Sequence, residues 1–421
     1  MDIYKIKGGK KLKGEVEISG AKNAALPIIV ASLLAEGETV LHNVPDLKDI
    51  QTIIKVIEYL GAKTEFNTEK NILKIQVGKI VNAEVPYDLV KTMRASIYVM
   101  GPLLARIGEA DVSMPGGCAI GERPVDIHLA GFAALGAEII LEHGFVKACS
   151  KKLKGATFNM PKVSVGATAN LMMCAVLVQG KTILENCAME PDVVDLAKFL
   201  IKMGAKISGH GTERIEIEGV AKLKPVTYSI MPDRIEAGTY LIAGAATRGS
   251  VTVRKVVPEH FGALSITLRE MGFLITEGKD FVTVSAGKKV QGVMIETQPF
   301  PGFPTDLQAP LMSLMTTLPG ISVIIETIFE NRYTHIAELK RLGAEIITEG
   351  KSAIIKGPKK LLGAPVMMSD LRAGASLIVA GLISEGETEI RRIYHSDRGY
   401  EKLPTKLKSL GAVITREAGK G

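Results

Sequence analysis

One signature closes a segment of this chain six times: Leu60-Gly61-Ala62, Leu135-Gly136-Ala137, Met203-Gly204-Ala205, Met271-Gly272-Phe273, Leu342-Gly343-Ala344 and Leu410-Gly411-Ala412. The interval is about 70 residues, longer than the roughly 20–50 of solenoid repeats. The first copy runs from Gly20-Ala21-Lys22-Asn23 into an apolar helix between Ala24 and Leu34, then a strand from Thr39 to Val44. A second helix follows, with Ile50, Ile53, Ile54, Ile57 and Leu60 at helical spacing on one face. Gly61 supplies the left-handed residue that ends it. Lys63-Thr64-Glu65-Phe66 then pairs with Ile72-Leu73-Lys74-Ile75 as a hairpin. The opening recurs at Val165-Gly166-Ala167-Thr168, Arg234-Ile235-Glu236-Ala237-Gly238, Asp306-Leu307-Gln308-Ala309 and Asp370-Leu371-Arg372-Ala373-Gly374, and less regularly at Met93-Arg94-Ala95-Ser96. The chain therefore reads as an α/β protein of six βαβαββ-like units.

The first helix of each unit is apolar nearly all round (Ala24 to Leu34, Ala169 to Val178, Leu377 to Ile383), which puts it inside a domain with sheets outside. Three units apiece give two domains, 21–230 and 1–20 plus 231–421, with the switch near Met231-Pro232-Asp233-Arg234 and an N-terminal strand from Ile3 to Gly20 returning to the second. Parallel internal helices would present their N-termini on one face, where unpaired N–H groups attract anions. The openings carry Lys22, Asn23, Arg94, Arg234, Asp306, Asp370 and Arg372. Capping is the simpler account of Asp306 and Asp370. Cations are poorly placed there for stability, so Lys22, Arg94 and Arg372 point to a nearby anion.

Partner classes narrow from composition. The formal net charge is +7 and the pI about 9.0, which favours anionic partners. Tryptophan is absent, aromatics are 5%, and the basic residues are scattered, so a nucleic-acid-binding reading lacks stacking platforms. The four cysteines and seven histidines show no metal-site spacing, and no metal or cofactor is expected. The N-terminus lacks a signal-peptide pattern, and the apolar run from Leu26 to Ala35 is too short to span a bilayer. We expect a cytoplasmic protein with no membrane insertion. In Pro115-Gly116-Gly117-Cys118-Ala119-Ile120-Gly121-Glu122-Arg123-Pro124, glycines and prolines shape a loop around a thiol and a guanidinium. A reactive cysteine fits that setting; a small hydrophobe under a turn is the commoner fate.

Six such units, with Gly20-Ala21-Lys22-Asn23, the Gly116 to Asp126 loop, Phe303-Pro304-Thr305-Asp306, Phe329-Glu330-Asn331-Arg332, Asp370-Leu371-Arg372-Ala373 and Asp397-Arg398-Gly399-Tyr400-Glu401, resemble the UDP-N-acetylglucosamine 1-carboxyvinyltransferases. These are enolpyruvyl transferases that open peptidoglycan synthesis. The resemblance covers essentially the whole chain. It implies two inside-out α/β domains with the active site in the cleft between them, and phosphoenolpyruvate and UDP-N-acetylglucosamine as substrates. It also implies catalytic roles for Cys118 (acid, and carrier of a phosphoenolpyruvate adduct), Asp306 (base), Lys22 and Arg398. Lys22, Arg123 and Arg398 would hold the phosphate and carboxylate of phosphoenolpyruvate, and Asn23 would contact it. Arg94, Arg123, Pro124, Val125, Asp126, Ile127, Lys162, Ser164, Val165, Gly166, Asp306 and Ile328 match positions that hold the UDP-sugar. Arg332, Asp370 and Arg372 sit in motifs near the site. Ser396 departs from the usual aliphatic residue, and His128 is either a buried structural histidine or a uridine contact. The rival within this fold, 5-enolpyruvylshikimate-3-phosphate synthase, lacks the cysteine loop.

Overall fold

The computed structural model describes residues 2–90, 93–114 and 125–419. The described residues divide into two compact units, with the chain crossing between them after Ser19 and after Met231. Each unit has its own hydrophobic core. The described residues hold six four-stranded sheets, three per unit.

The repeat is most legible in its helix ends. Gly61, Gly136, Gly204, Gly272, Gly343 and Gly411 all have φ between +92° and +112°. The next residue of each copy donates its N–H back five residues, as Ala62 does to Ile57 and Ala412 to Leu407, both at 3.0 Å. This closure satisfies carbonyls that the helix end leaves open, and a side chain would be strained at the left-handed residue.

Each sheet combines one parallel and two antiparallel pairings. In the first copy Gly37–His42 lies between Thr227–Ser229, parallel, and Ile72–Val77, antiparallel, with Lys63–Asn67 outside. The parallel edge strand comes from the far end of the same unit. In the fourth copy Lys13–Glu17 pairs in parallel with Ser250–Arg254. At each crossing the chain thus leaves its last strand behind in the unit it is quitting. The expected single N-terminal strand is two strands, Asp2–Lys7 and Lys13–Glu17, which join different sheets. A Cβ on Gly8 would lie 2.0 Å from the Ser384 carbonyl oxygen, so the chain passes there only as glycine.

The interiors are helical. Lys22–Ala31, Met100–Ile107 and Val165–Ala175 fill one unit, and Arg234–Ala246, Thr305–Met315 and Leu371–Ile383 fill the other. From Leu371 to Leu382 every side chain is buried. The irregular second copy has a physical form: a 3-10 turn, Arg94–Val99, precedes a helix of only eight residues. No helix among the described residues is long and apolar enough to cross a membrane.

Candidate active site

The Thr305–Met315 helix starts behind Pro304, with no side-chain cap. Asp306 therefore does not cap it, contrary to the simpler account of this residue. Its two oxygens are divided between two guanidiniums: Arg332 Nη2 donates to Oδ1 at 2.6 Å and Arg372 Nη2 to Oδ2 at 2.8 Å. Arg332 and Arg372 are 4% and 5% exposed, whereas the Asp306 side chain keeps 25% of its surface. Two buried cations gripping one carboxylate fix its orientation. The anion beside Arg372 is thus a carboxylate of the protein itself. Burial works against the Arg372 charge, but Asp306 outweighs it and drives the pKa up. Arg372 Nη1 also donates to the Tyr400 hydroxyl at 3.2 Å, and that hydroxyl pairs with Thr239 at 3.0 Å.

Asp370 does what a capping residue does: Oδ1 accepts from the N–H of Arg372 and of Ala373 at the start of Leu371–Ile383. Its Oδ2 accepts from Thr334 and Ser369. Burial alone would raise this carboxyl, but the Ala373 N–H, Arg332, Thr334 and the Arg372 N–H together hold it below the usual range. His335, 1% exposed, sits near Asp370, and among the described residues neither ring nitrogen has a hydrogen-bond partner. Burial drives its pKa down to about 4, against the pull of Asp370. Arg398 ends the 3-10 turn Ile393–Arg398, half-buried, beside Asp397, which Arg416 holds through two bonds of 2.8 and 3.0 Å. Ile328 is 36% exposed. Ser396 is buried and donates to the Ile393 carbonyl while pairing with the Tyr4 hydroxyl.

In the other unit Lys22 is the first residue of its helix, with Asn23 next to it, both half-buried. Lys22 Nζ lies 3.3 Å from Asp49, a 5%-exposed carboxylate that the sequence reading passed over. Ser164 caps Val165–Ala175 by accepting from the Ala167 N–H at 3.2 Å. Val125 and Asp126 lead into Asp126–Ala134, which also carries Ile127 and His128, and Lys162 is exposed. These two segments meet: a Cβ on Gly166 would lie 3.1 Å from His128 Nε2. Asn170 fixes that ring. Its Oδ1 accepts from the Gly101 N–H and its amide donates to the Ile97 carbonyl, so the amide also donates to His128 Nδ1 at 3.1 Å. Burial takes His128 down to about 4, against Asp126, so it is neutral and its proton lies on Nε2. Cys118, Arg123 and Pro124 lie outside the described residues, as does the side chain of Arg94.

The sequence reading missed Asp49, Asn170 and Tyr400 as the partner of Arg372. Asn170 carried a signal, being a lone amide in an apolar helix; Asp49 carried none.

The chain matches the EPSP synthase (3-phosphoshikimate 1-carboxyvinyltransferase) family over residues 6–407. It is similar in structure to the enolpyruvyl transferase NikO from Streptomyces tendae, with a TM-score of 0.90 and 25% identity, covering 100% of this chain and 99% of that one. Against EPSP synthase from Acinetobacter baumannii the TM-score is 0.76 at 19% identity, with both chains covered fully. Buried helix triplets flanked by sheets, with ion-paired residues at helix starts, thus define an enolpyruvyl transferase. UDP-N-acetylglucosamine 1-carboxyvinyltransferase from Geotalea daltonii is 56% identical over 416 residues, 99% of each chain. The protein of the same name from Bdellovibrio bacteriovorus is 57% identical over 412 residues, 98% of this chain and 99% of that one. The chain belongs to the UDP-N-acetylglucosamine 1-carboxyvinyltransferase family.

Proposed function

We propose that this protein transfers the enolpyruvyl group of phosphoenolpyruvate to the 3-hydroxyl of UDP-N-acetylglucosamine and releases phosphate, the first committed step of peptidoglycan synthesis. The observation that carries the reading is Asp306, whose carboxylate is held by buried Arg332 and Arg372 while its side chain keeps 25% of its surface exposed. The names of the relatives agree with it. In this reading Asp306 accepts the hydroxyl proton as the sugar oxygen bonds to the central enol carbon. Cys118 gives a proton to the methylene carbon. Loss of that proton and rupture of the carbon–oxygen bond to phosphate restore the double bond. A base and an acid are both required, and each contributes about 10²–10⁴-fold. Lys22, Arg123 and Arg398 neutralise the phosphate and carboxylate, Asn23 contacts phosphoenolpyruvate, and the 125–127 and 162–166 segments, with Arg94, Pro124 and Ile328, hold the nucleotide sugar. The domains 21–230 and 1–20 with 231–421 each contribute residues, and closing on the substrates excludes water. The reading also assigns the protein to the cytoplasm and to cell-wall growth, cell shape and division, and makes Cys118 a site for a phosphoenolpyruvate adduct and for alkylation by fosfomycin.

Phosphate release is measured with phosphoenolpyruvate plus either UDP-N-acetylglucosamine or shikimate 3-phosphate. Release is expected only with the nucleotide sugar. Release with shikimate 3-phosphate instead would replace this reading by the synthase one.

A further inference from the structure

Glu326 follows the strand Gly320–Ile325 and is 3% exposed. Its Oε1 accepts from the Thr297 hydroxyl at 2.9 Å, the Ile328 N–H at 2.9 Å and the Phe329 N–H at 3.1 Å. Its Oε2 accepts from the Thr305 hydroxyl at 2.9 Å. Thr305 opens the helix that carries Asp306. The segment that Glu326 begins returns four residues after Ile328 with Arg332, whose guanidinium meets Asp306 at 2.6 Å. Glu326, Thr305, Asp306 and Arg332 therefore close a ring between a loop and a helix start. No ion pair to Glu326 occurs among the described residues, so its charge is met by hydroxyls and peptide N–H groups.

A buried carboxylate is costly unless its lone pairs are met, and an apolar residue would serve packing better. An apolar residue, however, could not collect two loop amides on one oxygen and a helix-start hydroxyl on the other. We propose that Glu326 is a positioning residue that fixes the Ile328 loop and the Asp306 helix start in one register. This rests on the function proposed above, in which Ile328 touches the nucleotide sugar and Asp306 takes its proton. A misplacement of about 1 Å in such a site costs on the order of a hundredfold in rate.

Four variants and two readouts test this. Glu326→Leu should raise KM for UDP-N-acetylglucosamine about tenfold and lower kcat about a hundredfold, leaving KM for phosphoenolpyruvate within about twofold. Glu326→Gln should rescue most of the loss, because its carbonyl keeps the three Oε1 bonds and its amide can donate to Thr305. Thr305→Val, which cuts only the helix link, should lower kcat while sparing both KM values. Thr297→Val, which removes one Oε1 bond and takes the hydroxyl acceptor from the Thr327 N–H, should raise KM for UDP-N-acetylglucosamine, but by less than Glu326→Leu does. Hydrogen exchange over 328–332 should quicken in Glu326→Leu and not in Glu326→Gln. Wild-type exchange at 328–332 in the Leu variant, or a Gln variant as impaired as Leu, would overturn the proposal. A wild-type protein that does not turn over UDP-N-acetylglucosamine would instead strike the function reading, and the exchange comparison would still decide the role of Glu326.

Discussion

Burial separates the thiols of this protein. Cys174 and Cys187 are enclosed, and burial pushes each thiol up to about 12, so both stay protonated and unreactive. Cys149 is exposed. Brief iodoacetamide treatment of the native protein, followed by peptide mass mapping, should label Cys149 and Cys118 and spare the other two. Labelling at Cys174 would contradict the packing. Cys118→Ser should be nearly inactive, because a hydroxyl is far too weak an acid. Cys118→Asp should retain turnover with its optimum at lower pH, where the carboxyl keeps its proton; a fully active Ser variant would remove Cys118 from proton transfer. His128 and His335 form a second pair of tests. With folded pKa values near 4 against 6.5 unfolded, each contributes stability that is present above about 6.5 and lost as pH falls toward 4. Neither ring should titrate between pH 5.5 and 8 in an NMR experiment on histidine-labelled protein, and a midpoint near 6.5 for either would refute its burial.

Among the elements, two kinds of glycine do different work. Gly411 sits at φ +92° with open space around it, so alanine there meets only backbone strain, of order 1 kcal/mol. Gly101 lies where the Met100–Ile107 helix crosses Val165–Ala175, and a Cβ would stand 2.4 Å from the Asn170 carbonyl oxygen and 2.6 Å from its Oδ1. Neither neighbour can withdraw without breaking the bond that holds His128. Gly101→Ala should therefore cost about 1–3 kcal/mol in denaturant unfolding and also raise KM for the nucleotide sugar, while Gly411→Ala leaves kinetics unchanged. Equal kinetic effects of the two would sever the proposed line from helix crossing to substrate segment. The closure glycines were legible because a left-handed helix end has a sequence signature. The Gly101 crossing was not, since the contact joins residues about 70 apart through a backbone that sequence spacing does not reveal.

At the scale of the whole chain, one buried charge cluster gathers both ends of a discontinuous unit. Lys406 Nζ donates to Glu236 Oε1 and to the Ser19 hydroxyl, each at 2.6 Å, and Ser19 donates to Glu401 at 2.5 Å and, through its N–H, to Glu236 at 2.9 Å. Ser19 closes the first passage of the chain through this unit, and Glu236 opens the second. Burial raises Glu236 to about 7, against the pull of Lys406. A carboxyl raised in the folded state favours folding while protonated, so its contribution is full below about 4.5 and is lost as pH rises through 7. The stability of wild type relative to Glu236→Gln should fall across that window; a flat difference would show that Lys406 compensates the charge fully.

Periodicity by itself determined that this chain is α/β, that it repeats six times, and that its apolar helices lie inside. Those features depend on local spacing and on backbone angles only glycine adopts freely, and both are written residue by residue. The motifs likewise singled out Asp306, Arg332, Asp370 and Arg372, which the resemblance put at or near one site. Tertiary structure alone decided their partners. Asp306 was open to reading as a helix cap until Arg332 and Arg372, 26 and 66 residues away, came to its two oxygens. Lys22 had no visible counter-charge until Asp49 folded beneath it. Ser19 lay in the expected N-terminal strand and Glu236 and Glu401 in separate motifs until the fold joined them in one cluster with Lys406. Such pairings depend on distance in space, and a buried charge finds its partner only when the packed elements bring one within a few ångströms.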